Sequence, residues 1–349
     1  KVAVIGPMAD APYDQGGTWA PDLQRERSVT PLAALRRLYG EENVIHAPGL
    51  GYTRDKSLDG IQAAVKAARE ADVAVCFVGE EAVMSGEAHS MADLGLKGAQ
   101  TALLEAVCAT GKPVAVVFMA GRPLTVGKEI DMADAVLYAF HGGTMAGEAL
   151  ANILSGKANP SGKLPVTMAR MTGQYPMYYA HKNTGRPPEW TVDLDSIPVE
   201  ALQTSTGCTS YYLDAGKDPL YPFGYGLSYT TFDISTPRLS ASSMAIGSET
   251  PLTVECTVTN TGDREGAETV QLYVRDLVGS LARPVKELKD FRKVTLKPGE
   301  SKVVSFALTP GQLSFHGLDG KPLIEAGDFQ VWTAGNSVDG TPVSFSLTD

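Results

Sequence analysis

Val73-Ala74-Val75-Cys76-Phe77-Val78-Gly79 runs into Glu80-Glu81-Ala82-Val83 and then Met84-Ser85-Gly86-Glu87-Ala88-His89-Ser90-Met91-Ala92-Asp93, and the reading of this stretch decides the fold. An unbroken apolar run that stops at glycine fits a strand buried on both faces, as in a parallel sheet. Past the loop, Ala99, Leu103, Ala106 and Val107 recur at helical spacing, and Gly111 ends the helix as a C-cap. The stretch between is therefore a long loop leaving the carboxyl end of a strand, the edge where open α/β sheets place ligands. It carries Glu80, Glu81, Glu87, His89 and Asp93, and Glu87 sits between small residues. A carboxyl group on such a loop can be brought over a substrate as a proton donor. The plainer reading is solvated charge: the chain has 40 acidic residues, and most surface acids only keep a protein soluble.

The same alternation extends outward. Residues 1–6, 44–47, 73–78, 114–119, 135–140 and 162–168 read as strands. Helices fall between them: one opened by Thr30-Pro31, one capped by Ser57, one near 126–132, and one at 145–154 capped by Thr144. Strands alternating with helices across short turns predict a mostly parallel sheet covered on both faces. Residues 170–230 collect tyrosine, proline and glycine, as in Pro219-Leu220-Tyr221-Pro222-Phe223-Gly224-Tyr225-Gly226. Such aromatic content argues for an ordered linker that packs through its rings. From about Phe232 the apolar period becomes two: Leu252, Val254, Cys256 and Val258; Val270, Leu272 and Val274; Val304, Phe306 and Leu308. Short alternating strands separated by turns predict a β-sandwich of about 100 residues. The expected organisation is an α/β domain over 1–169, a linker over 170–231 and an all-β domain over 232–349.

Composition narrows the function. The 349 residues carry a net charge of −10, which argues against nucleic acid, and no apolar run approaches a membrane span. Cys76, Cys108, Cys208 and Cys256 are scattered, with no cysteine–histidine spacing that would hold a metal. Gly6-Pro7-Met8-Ala9-Asp10 lacks the glycine spacing of a dinucleotide loop. Trp19, after Gly16-Gly17-Thr18, is either a ring displayed to stack on a sugar or one packed into a domain interface. The chain opens on Lys1 inside a strand and reads as a fragment or processed product, with any signal peptide upstream.

Several motifs carry a resemblance. The stretch Pro219-Leu220-Tyr221-Pro222-Phe223-Gly224-Tyr225-Gly226-Leu227-Ser228-Tyr229-Thr230-Thr231-Phe232 is very similar to the linker of glycoside hydrolase family 3 β-glucosidases. Asn159-Pro160-Ser161-Gly162-Lys163-Leu164-Pro165 and His181-Lys182-Asn183-Thr184-Gly185-Arg186-Pro187 resemble two further signatures of that family. Asn260-Thr261-Gly262 with Glu265-Gly266, and Arg283-Pro284-Val285-Lys286-Glu287-Leu288, resemble its fibronectin type III-like domain. The resemblance covers essentially the whole chain and implies an α/β sandwich domain followed by a fibronectin type III-like β-sandwich. The (β/α)8 barrel that carries the nucleophilic aspartate in the family has no counterpart in these residues.

In that family two carboxyl groups roughly 5 Å apart run a retaining mechanism. Glu87-Ala88-His89-Ser90 with Asp93 looks like the periplasmic-type acid/base loop, where Glu-Ala-x-Ser-x-x-Asp recurs. The resemblance makes Glu87 the acid/base, with Glu80 and Glu81 as competitors, and gives Trp19 and His89 a substrate-binding role. Trp19 resembles the tryptophan that some relatives bring to the leaving-group subsite, although Thr18 is inserted in its Gly-Gly-Trp segment. His181 and Arg186 read as structural. It implies no cofactor, a β-glucoside or short β-glucan substrate, a barrel domain or chain as partner in a complex or oligomer, and a periplasmic or secreted location. Two rivals remain: a non-catalytic carbohydrate-binding or assembly module, and the same chemistry on another β-glycoside such as a xyloside.

Overall fold

The computed structural model of the protein describes residues 1–349. Contacts divide the chain into two compact units, one of Lys1–Ala158 with Ala169–Gly173 and one of Asn159–Met168 with Gln174–Asp349. In the first, strands β1 (Val2–Ile5), β2 (Val44–Ala47), β3 (Val73–Gly79), β4 (Val114–Met119) and β5 (Ala135–Tyr138) form one sheet in the order β2-β1-β3-β4-β5. Every neighbouring pair is parallel. The apolar run is thus the middle strand. Its side chains alternate between two cores. Ala74, Cys76 and Val78 pack with helices α2 (Ile61–Glu70) and α3 (Gln100–Cys108), through Ile61, Ala64, Leu103 and Val107. Val75 and Phe77 pack on the other face with α1 (Pro31–Tyr39) and α5 (Ala146–Leu154), through Leu32, Leu35 and Leu150. Burying each such branched side chain contributes about 1.5–3 kcal/mol. A short helix α4 (Gly127–Met132) links β4 to β5.

The second unit holds two sheets, as the period-two patterning predicts. One has β11 (Glu287–Leu296), β10 (Gly266–Asp276), β15 (Gly327–Ala334), β16 (Val343–Thr348) and β8 (Ser243–Ala245) in that order; the other has β12 (Ser301–Leu308), β9 (Leu252–Asn260) and β6 (Phe232–Ile234), with β7 (Arg238–Leu239) also on β9. A two-stranded pair, β13 (Phe315–His316) with β14 (Pro322–Leu323), stands apart. Val254, Cys256 and Val258 meet Leu272, Val274 and Phe306 in one core. The aromatic linker packs on itself and on this unit. Tyr221 and Tyr225 stack at 4.9 Å, and Tyr179 stacks on Phe223 at 4.3 Å and meets Tyr273 edge-on at 5.9 Å.

Three local expectations change. Residues 162–168 are no strand of the parallel sheet. Leu164 N–H donates to the Tyr225 carbonyl, Gly224 N–H to the Leu164 carbonyl and Met168 N–H to the Tyr221 carbonyl, at 2.8, 2.8 and 2.9 Å, so this stretch pairs with the linker. Pro165 lies inside the run and cannot donate to a ladder, which is why an apolar run here is not a central strand. Ser57 does not cap α2: its hydroxyl accepts from Asp59 N–H at 3.1 Å in a turn before the helix, and Gly60 is the N-cap. Nor does Thr144 cap α5. Met145 takes the N-cap position without a side-chain bond, while the Thr144 carbonyl accepts from Val29 N–H at 2.8 Å. Thr30 does cap α1, accepting from Ala33 N–H at 3.3 Å with Pro31 following it.

The two ends of the long loop are tied together by one buried side chain. Gln100, fully buried at the start of α3, accepts from Gly79 N–H at 2.8 Å and donates to the carbonyls of Gly79 and Thr53 at 2.9 Å and of Lys97 at 3.2 Å. Leucine in its place would strand several of these groups away from water, each at a cost of about 1–3 kcal/mol. Gln100→Leu is expected to lower unfolding stability by about 2–4 kcal/mol, read from the denaturant midpoint; a loss below about 1 kcal/mol would show that water replaces the amide.

Candidate functional site

The loops that follow β1, β3, β4 and β5 gather at one edge of the sheet, and each contributes a polar side chain. Glu87 comes from the loop after β3. His89 N–H donates to the Gly86 carbonyl at 3.2 Å, closing a turn with Glu87 and Ala88 at its two central positions. Ala88 has φ of 62°, the positive value that the third residue of a type II turn requires. Glu87 therefore stands at the corner of a tight turn. It is exposed and has no hydrogen-bond or ion-pair partner within the chain.

The competing carboxylates sit in different surroundings. Glu80 is 3% exposed and lies 3.1 Å from Arg122 Nε. Burial raises its carboxyl above the ordinary glutamate value, and the Arg122 guanidinium offsets part of that. A raised carboxyl is a candidate proton donor, but Glu80 faces the arginine under the loop rather than an open surface. Glu81 is held the other way. Arg54 Nε donates to it at 2.8 Å and Arg54 Nη2 at 3.1 Å, and the Thr53 hydroxyl donates at 2.7 Å. Those bonds, the arginine's first, hold Glu81 below the ordinary range. Asp14, in the loop after β1, accepts from Ala82 N–H at 3.0 Å, and its burial raises its carboxyl.

Trp19 is 73% exposed, so it is displayed rather than packed within its unit. The residue before it explains the display. The Thr18 hydroxyl bonds the carbonyls of Ala82 and Ser85, the latter at 2.6 Å, and so braces the Trp19 segment against the Glu87 loop. Gly86 permits this approach, because a Cβ there would lie 2.5 Å from Thr18 Cγ2. Val83 and Met145, at 59% and 50% exposed, add apolar surface on loops of the same unit. His89 is exposed, and its Nδ1 donates to the Ser85 carbonyl at 3.1 Å, which leaves Nε2 without a partner in the chain.

Arg122 and His141 were not singled out by the sequence reading. His141 Nε2 donates to the Glu80 carbonyl at 3.1 Å. Arg122 lies just past the carboxyl end of β4, the neighbour of β3, and His141 just past that of β5, the next strand along the sheet. That position was the available signal: charged residues following adjacent parallel strands converge at one edge. No three His, Cys, Asp or Glu side chains converge where they could hold a metal ion. A concavity of about 410 Å³ lies in the other unit, lined by Arg186, Pro187, Glu189, Trp190, Cys208 and Thr209. No helix is long and apolar enough to cross a membrane.

Comparison with known proteins agrees with this architecture. Residues 1–229 match the model described as the glycosyl hydrolase family 3 C-terminal domain, and residues 268–337 match the fibronectin type III-like domain. A periplasmic beta-glucosidase of Salmonella typhimurium is 41% identical, covering 99% of this chain and 46% of its own length. A beta-xylosidase of Formosa agariphila is 37% identical, covering 100% of this chain and 46% of its own. The crystal structure of a beta-glucosidase from Listeria innocua in complex with isofagomine superposes with a TM-score of 0.89 at 35% identity, over 100% of this chain and 46% of that one. The chain thus spans about half the length of the curated relatives it matches.

The Glu81–Arg54 pair has a pH signature. Because the folded-state value of Glu81 is depressed, its contribution to stability is fully present above the ordinary glutamate value of 4.5 and is lost as pH falls through the lower folded value. Glu81→Gln should therefore lower the unfolding midpoint at neutral pH, and the gap to the parent chain should close as the pH falls below 4.5. Parallel thermal melts across that range check it; a gap independent of pH would place the effect in the Thr53 hydrogen bond instead.

Proposed function

The chain belongs to glycoside hydrolase family 3, and from that premise we propose that it supplies the general acid/base of a retaining β-glucosidase-type enzyme. Glu87 is that group. The observation that carries the reading is its placement: it is the exposed, unpartnered carboxyl at the corner of a tight turn beyond the carboxyl end of β3. Its neighbours Glu80 and Glu81 are each committed to an arginine. The Glu-Ala-x-Ser-x-x-Asp pattern of residues 87–93 supports it from the sequence side.

The chemistry follows from two carboxyl groups. An aspartate on a (β/α)8 barrel outside these residues attacks the anomeric carbon, while Glu87 gives its proton to the departing glycosidic oxygen. The carboxylate left on Glu87 then takes a proton from water, whose oxygen attacks the same carbon and releases the aspartate. The sugar leaves with its original anomeric configuration. Trp19, braced beside this turn, offers a ring for stacking on the leaving group, and His89 offers Nε2. The exposed Trp19, Val83 and Met145 give the barrel an apolar surface to cover. No cofactor is needed. The retained acid/base pattern weighs against a purely non-catalytic module. Relatives named as a beta-glucosidase and a beta-xylosidase support a β-glucoside or the corresponding xyloside as substrate, and the periplasmic relative supports a periplasmic or secreted location.

In the complete enzyme, Glu87→Ala should cut turnover of glycosides with poor leaving groups by roughly 10²–10⁴-fold. Activated aryl glycosides should still form the glycosyl-enzyme and then stall, and added azide should release a β-glycosyl azide. Near-normal activity of Glu87→Ala on an alkyl glucoside, with azide rescue in Glu80→Ala or Glu81→Ala, would move the acid earlier on the loop. The purified 349-residue chain alone should not hydrolyse aryl β-glucosides, because without the nucleophile no covalent intermediate forms. Turnover that is abolished by a mutation within the chain would reveal a second carboxylate here.

A further inference from the structure

We propose that Arg122 is the positioning residue for the acid/base turn, fixing where Glu87 stands without touching substrate. The inference rests on the assignment of Glu87 as acid/base. Arg122 lies just beyond the carboxyl end of β4, in Gly121-Arg122-Pro123, and its side chain is only 16% exposed. One guanidinium nitrogen, Nη2, donates both to the Met84 carbonyl and to the His89 carbonyl, the latter at 3.0 Å. Met84 lies two residues before the turn of residues 86–89, and His89 is its last residue. A single planar group therefore clamps both legs of the turn whose corner is Glu87.

The clamp is itself held from two sides. Nε donates to Glu80 Oε2 at 3.1 Å, and Glu80 is 3% exposed, so the carboxylate has no better partner in water. The backbone of Arg122 is fixed as well. The Tyr138 hydroxyl donates to the Arg122 carbonyl at 2.6 Å and accepts from Leu124 N–H at 2.9 Å. Glu80 is in turn anchored on its own main chain: its N–H donates to the Met119 carbonyl at 2.9 Å and its carbonyl accepts from His141 Nε2 at 3.1 Å. Side chains at the ends of β3, β4 and β5 thus form one continuous hydrogen-bonded path, partly buried, from the sheet to the turn. Arginine suits this position because its fork presents several donors in fixed directions. A lysine ammonium at the same place could reach Glu80 or one leg of the turn, but it lacks the planar span to hold all three. This gives Glu80 and its raised carboxyl a role that is not proton donation: it orients the arginine.

The role predicts a pattern, because a displaced acid harms only steps that need protonation. In the complete enzyme Arg122→Ala should lose about 10²-fold on alkyl glucosides, the scale of a roughly 1 Å misplacement of a reacting group. It should lose far less in the first step on activated aryl glucosides. Arg122→Lys and Glu80→Gln should show the same steepened dependence on leaving group with smaller losses. Counting active sites with an activated 2-deoxy-2-fluoro glucoside, which traps the covalent intermediate, normalises every rate to folded enzyme. If Arg122→Ala does not fold, the two milder variants carry the test. Equal losses on both substrate classes in these variants, with Glu87→Ala behaving as an acid/base variant, would overturn the role of Arg122 and leave that of Glu87 standing. If Glu87→Ala itself shows neither the leaving-group dependence nor azide rescue, the acid assignment fails and the positioning role fails with it.

Discussion

Strand β3 has to stop abruptly while packed between two neighbours, and Gly79 is what allows it. Its φ is 145°, and a Cβ on it would lie 1.9 Å from the Met119 carbonyl oxygen of β4. Only glycine fits such a close approach of two main chains in that conformation. The next residue, Glu80, still donates its N–H to the same Met119 carbonyl, so the chain leaves the sheet along a fixed direction. The Gln100 amide then satisfies the backbone groups that the departure would strand. The location of the loop, the burial of Glu80 and the exposure of Glu87 all follow from that exit.

Along the loop, three glutamates within eight residues are sorted by environment alone. Glu80 is sealed under the loop with an arginine, Glu81 is fastened at its margin by another, and Glu87 is left open at the turn. Chemically identical side chains thereby acquire a sealed, a fastened and an open setting. The division comes from hydrogen-bond partners on the loops after β2 and β4, which is why it has no trace in the local spacing of the acids.

That contrast governs what could be read from the sequence. The apolar run of β3, the helical spacing of α3 and the period-two strands of the second unit report burial on one or two faces, a local property of the chain, and they appear where the pattern placed them. Loop position and motif both pointed to Glu87, and the structure leaves it exposed at a turn beyond β3. Arg122 and His141 were not legible, because their partners lie 38 and 61 positions away and only the strand order brings them together. The misread elements share a cause of another kind. Ser57 and Thr144 stand near helix starts, but neighbouring turns and carbonyl bonds fix the cap one to three residues later. The apolar run at 162–168 is disqualified by Pro165, whose missing N–H outweighs its hydrophobic neighbours.

Thr18 interrupts an otherwise familiar Gly-Gly-Trp segment, and its hydroxyl welds the loop after β1 to the loop after β3. A joint of this kind removes a degree of freedom: the indole and the turn beside it move as one piece. Natural drift or laboratory engineering therefore cannot retune the segment that presents Trp19 while leaving the neighbouring carboxyl where it was. Sequence changes in these two loops should be inherited in pairs, and a library that varies one of them alone will search mostly broken combinations.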